Sequence, residues 1–121
     1  MSRSAKVTLG WAEGEYDFRL AWAQLMALQE ACDAGPAHVL ERLSRGTWRL
    51  QDVEQPILQG LLGAGMEAAE ARRLVKTYVK DQPLSENIMV AMAVLSAAIL
   101  GVEDEPVEEF AGKPAAATET S

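Results

Sequence analysis

The chain has 121 residues, 49% of them hydrophobic and 24% charged, the balance of one soluble domain with room for a modest core. Of its net charge of −7, −5 lies in residues 103–121, where Glu103, Asp104, Glu105, Glu108, Glu109 and Glu119 face Lys113 alone. An acidic whole argues against a nucleic-acid or anionic-membrane surface as the main partner, because phosphate affinity comes from clustered lysine and arginine, and the lone Cys32 allows no internal disulfide.

Residues 1–5 have nothing to bury and are expected to fray. From Lys6 the pattern alternates: Val7, Leu9 and Trp11 interleave with polar or small residues, and Tyr16, Phe18 and Leu20 do so again, which predicts a β-hairpin. Between the two runs, Gly14 is expected to take the positive φ that a short hairpin loop needs. At Ala21 the period changes to that of a helix, which runs to Cys32 and is closed by Gly35 and Pro36. A second helix is expected over 37–44, ended by Gly46.

The third helix carries Asp52 as a candidate N-cap or first-turn acid, and Pro56 is expected in its first turn, where the missing amide donor costs nothing. "LLGAGM" (61–66) reads as a helix stop and restart. A fourth helix follows over 66–80, with acids early and bases late as the helix dipole favours. Pro83 suits the opening of a last helix over 84–100, which carries no charge from Ile88 to Leu100. A helix apolar on nearly every side is central to its own fold or covered by a partner. The expected architecture is α+β: a two-stranded hairpin and a bundle of four to five helices in one domain over 6–102, then a disordered acidic tail over 103–121.

Reactive groups are sparse. His38 is the sole histidine, no metal-ligand spacing is present, and no enzyme, cofactor or metal is expected. "GLLGAG" (60–65) follows a helix and lacks the Gly-Lys-Ser/Thr of a phosphate loop. Arg42, Arg45 and Arg49 gather around Trp48 between two helices and could touch DNA, which makes a small DNA-binding regulator the alternative reading. The absence of a basic and apolar leader, and of an apolar run of about 20 residues, leads to the expectation of a cytoplasmic protein with no membrane partner. Ile88, Met89, Met92, Leu95 and Ile99 form a methionine-containing stripe on the last helix, a candidate partner-binding surface. Val7, Leu9, Trp11, Tyr16 and Phe18 are the candidate face and edge residues of the hairpin, through which a second copy or another protein's strand could pair.

The run from Trp22 to Gly35 (WAQLMALQEACDAG), then "LERLSRGTWRLQDVEQPILQGLLGAGM", then Glu67 to Val75 (EAAEARRLV) resembles the tail assembly chaperones of gene transfer agents and tailed phages. The likeness covers residues 6–102, and its most specific element is Leu50, Asp52, Val53, Ile57, Leu58, Gly60, Leu61, Gly63, Ala64 and Gly65 in that order. The resemblance implies a non-enzymatic factor that binds the tape-measure protein, the tail-tube protein or both in the bacterial host cell. It also implies absence from the finished particle. A tape-measure protein is long and helical, so a small partner must offer complementary apolar surface and enough charge to keep the complex dissolved.

Overall fold

The computed structural model describes residues 3–103. A short strand β1 (Arg3–Ser4) precedes an antiparallel hairpin of β2 (Lys6–Trp11) and β3 (Gly14–Arg19). Helices α1 (Trp22–Cys32), α2 (Pro36–Arg45), α3 (Leu50–Gly63), α4 (Ala68–Val75) and α5 (Ser85–Leu100) follow, and α4 runs on into a π-helical turn at Lys76–Lys80. A final strand β4 (Val102–Glu103) pairs antiparallel with β1, Arg3 opposite Glu103 and Ser4 opposite Val102. Residues 3–4 are therefore held in a ladder rather than frayed, while the tail beyond Glu103 lies outside the described residues. The α+β reading of a hairpin followed by helices holds.

The hairpin register is Val7 opposite Phe18, Leu9 opposite Tyr16 and Trp11 opposite Gly14, which puts every apolar side chain on one face. That register leaves Ala12 and Glu13 as a two-residue loop, and the positive φ falls on Ala12, at 53°, rather than on Gly14. Positive φ at the first loop position is the pattern of a type II′ turn, where glycine is preferred. The cross-strand apolar pairs thus override the local turn preference by setting where the loop begins.

Trp11 is the joint between hairpin and helices. Its ring meets Tyr16, Phe18 and Tyr78 edge to face, with centroids 5.5, 5.8 and 6.1 Å away, and each such pair adds about 0.5–1.5 kcal/mol beyond the area it buries. Its indole Nε1–H donates to Asn87 Oδ1 at 2.8 Å, and Asn87 Nδ2 donates to the Tyr78 carbonyl at 2.9 Å. Asn87 is buried, so both bonds are needed to offset its desolvation.

α3 packs against α1, α2, α4, α5 and β3, and its glycines make this possible. A Cβ at Gly60 would come within 3.1 Å of Phe18 Cβ and Val94 Cγ1. One at Gly63 would land on the Arg19 carbonyl oxygen. Gly60 and Gly63 are therefore contact glycines inside the helix, where the sequence suggested a stop beginning at residue 61. Gly65 alone turns left-handed, at φ 104°, with its amide bonded to the Leu62 carbonyl and that of Met66 to the Leu61 carbonyl.

Pro56 sits in the second turn of α3, not the first. The helix starts earlier because its N-terminus is tied down elsewhere: Asp52 is fully buried, accepts the Arg49 amide at 2.8 Å, and takes a two-bond contact from Arg42, Nη2 to Oδ1 at 2.7 Å and Nε to Oδ2 at 2.9 Å. The same Arg42 Nη2 reaches the Cys32 carbonyl at 3.3 Å, joining α1, α2 and α3 at one corner.

Two outcomes follow for stability. Ala12→Gly relieves the left-handed alanine and should stabilise the fold by about 1 kcal/mol in urea unfolding. Asp52→Ala leaves a largely buried guanidinium without its counter-charge and uncaps α3, and should destabilise by roughly 3–5 kcal/mol, whereas replacing Arg42 and Asp52 together by Met and Leu should cost much less.

Candidate partner-binding surfaces

α1 has two apolar sides. Leu28 and Cys32 are buried and Leu25 is half-buried against the core, while Trp22 and Met26, one helical turn apart, point to solvent at 77% and 54% exposure. Ala23 and Gln29 extend this outer face, and the first charge along the helix is Glu30. Leu50 is exposed just beyond the far end of α1, beside the point where Cys32 Sγ approaches the Gln51 carbonyl at 3.4 Å. A helix that stays uncharged on its solvent side for two turns keeps an unsatisfied hydrophobic surface. The sequence reading missed Trp22 and Met26. Their i, i+4 spacing, offset from Leu25, Leu28 and Cys32, was the available signal.

The stripe expected on α5 is divided by the fold. Leu95 is fully buried in the core, Ile88 and Met92 are half-buried against it, and Met89 and Ile99 stand exposed at 71% and 43%. α5 packs on α3, α2 and the hairpin, which takes Asn87, Ala91, Val94, Leu95 and Ala97 inward and leaves Met89 on the opposite side. In the hairpin, Trp11 and Phe18 belong to the core and Val7, Leu9 and Tyr16 are half-buried at its margin.

The fold withdraws Arg42 from the arginine cluster. Arg42 is committed to Asp52, whose hydrogen bonds raise the guanidinium above its ordinary value. Arg45 makes a surface pair with Glu41 at 3.3 Å, and Arg49 donates its backbone amide, not its guanidinium, to Asp52. Arg42 could reach a phosphate only by abandoning a buried carboxylate, which takes that one residue out of the DNA-binding alternative. His38 lies exposed beside Glu41 at 3.5 Å, on the wall of an open depression that it shares with Arg42, Arg45 and Arg49. Among the described residues no group of three or more His, Cys, Asp or Glu could hold a metal, and no helix is long and apolar enough to cross a membrane.

Cys32 is chemically quiet. Burial, and then the nearby Asp52 carboxylate, push its thiol from the ordinary 9.0 up to about 12. The folded state therefore holds the proton that the unfolded chain releases, so this contribution to stability is intact below pH 9 and is lost between pH 9 and about 12. A thiol reagent at neutral pH should label native protein only as fast as it opens, and Cys32→Ala should flatten the decline of unfolding free energy above pH 9.

A family model described as phage tail tube protein, GTA-gp10 matches residues 4–101. No curated protein and no solved structure matches the chain.

Proposed function

This chain belongs to the phage tail tube protein, GTA-gp10 family, and on that footing we propose that it acts in tail assembly as a non-enzymatic binding partner that covers apolar helical surface on another tail protein, the tape-measure protein before all others. The family description names a tube protein, whereas the resemblance read from the sequence was to assembly chaperones of the same tail systems. The observation that carries the chaperone reading is the uncharged outer face of α1 around Trp22 and Met26, with Met89 and Ile99 exposed separately on α5.

These residues stand on an otherwise well-packed body, so they are surplus to the fold. An aromatic anchor next to a methionine suits a helical partner whose apolar stripe varies along its length, since the thioether adapts its shape and the indole supplies area. A subunit polymerising into a tube needs two complementary faces of obligate size, repeated on every copy. The exposed apolar side chains here are instead a few, spread over α1, the start of α3 and α5, which suits a transient contact. The tube-subunit reading is kept as the second one because the family's description favours it.

Co-expression with a tape-measure protein of the same tail system should keep that protein soluble. Trp22→Ala with Met26→Ala should abolish this while shifting Tm by only a few degrees, roughly the effect of changing exposed side chains. Mass spectrometry of purified particles separates the two readings: the chain is missing from finished particles if it is a chaperone, and present in many copies per particle if it builds the tube. A tape-measure protein that precipitates equally with and without this chain would defeat the chaperone reading.

A further inference from the structure

From the hairpin geometry we infer that the outer edge of β2 is a docking strand for a second copy of this chain, paired antiparallel about Thr8. A two-residue loop makes Trp11 and Gly14 a hydrogen-bonded pair, so the ladder bonds join 11 to 14, 9 to 16 and 7 to 18. The amides and carbonyls of Lys6, Thr8 and Gly10 consequently point away from β3. Lys6 N–H is taken by Ser4 Oγ at 3.0 Å, and the backbone groups of Thr8 and Gly10 have no partner outside the hairpin among the described residues. All three residues are exposed. An unpaired strand edge of this kind is a template for another strand.

The choice of occupant comes from self-complementarity. With Thr8 on the two-fold axis, Thr8 faces Thr8 of the second copy, Val7 faces Leu9, and Lys6 faces Gly10. Each Thr8 keeps its hydroxyl on its own Asp17 Oδ1 at 2.5 Å and so meets its copy without an unsatisfied donor, and the half-buried Val7 and Leu9 gain apolar neighbours at the margin where the hairpin now ends. Lys6, which pairs with Asp17 of its own hairpin at 3.4 Å, would meet no side chain on Gly10 and could exchange that partner for Glu15 of the second copy, an acid with no ion partner among the described residues. α5 packs beneath β2 and is uncharged from Asn87 to Leu100, so the two copies of this helix approach without like-charge repulsion.

The β3 edge lacks these properties. Pairing it with itself about Asp17 sets Asp17 against Asp17, and α3 seats Gly63 on the Arg19 carbonyl at one end of the strand. The β2 edge is thus the one that accepts its own copy. This inference is independent of the partner assigned to Trp22 and Met26, because it uses a different face of the molecule.

Sedimentation equilibrium of the full chain over a wide concentration range should show a reversible monomer–dimer transition. Thr8→Lys places two cations face to face on the axis and should return the protein to monomer with its circular dichroism unchanged. Thr8→Cys should form an intermolecular disulfide on mild oxidation, since paired Cα atoms at such a position lie about 5.5 Å apart; buried Cys32 does not compete. If the wild-type chain stays monomeric at the highest concentration reached, or if Thr8→Cys yields no cross-linked dimer, the inference is overturned. A Thr8→Lys protein that is folded and still dimeric overturns it equally.

Discussion

The close approach of α3 to β3 is the constraint on which the rest of this structure depends. Because Gly60 and Gly63 carry no side chain, the helix settles directly onto Phe18 and the Arg19 carbonyl, and Val94 of α5 closes on the same spot. Helix, strand and helix meet there at backbone distance. Once α3 is in that position its other flanks receive α1, α2 and α4, and its N-terminus falls where Arg42 can grip Asp52. A two-stranded hairpin is marginal in water, yet this one is stable because its apolar face has been laid on α3 and α5 and fastened through Trp11 and Asn87.

Much of this was readable from residue order, for physical reasons that differ between elements. Strict alternation at Val7, Leu9, Trp11 and Tyr16, Phe18, Leu20 determines a hairpin because a one-residue slip would turn every apolar group to water. Helix ends were legible wherever a glycine takes a left-handed turn, as at Gly46. What resisted reading depends on contacts far apart in sequence. Gly60 and Gly63 look like stop signals until Phe18 and Arg19 are brought beside them. Pro56 looks like a first-turn residue until the buried Arg42–Asp52 pair pulls the start of α3 back to Leu50. Ala12 carries the strained loop position because the strand pairs, not the loop residues, decide the register.

The surface followed the same rule. A helix without charge, such as α5, signals contact on several sides, but residue spacing alone does not divide its own core from a partner's share, and the fold gives Leu95 to the first and Met89 to solvent. α1 conceals the opposite case, where a short amphipathic segment is apolar on its outer side too. Arginines near one another in sequence suggested a cationic face, and burial of Asp52 removed the strongest of them from it. Membership of a phage tail family makes sense of a body whose well-satisfied interior coexists with a few conspicuous apolar side chains outside.

The ladder between β1 and β4 has a mechanical meaning. Since Arg3 lies opposite Glu103 and Ser4 opposite Val102, the chain enters and leaves the domain side by side. Tension applied across those two ends would part the strands like a zipper, one rung at a time, a geometry that yields at low force compared with sliding strands past each other. The hairpin and helices would feel no load until both rungs had opened, so this small clasp acts as a fuse protecting the body behind it.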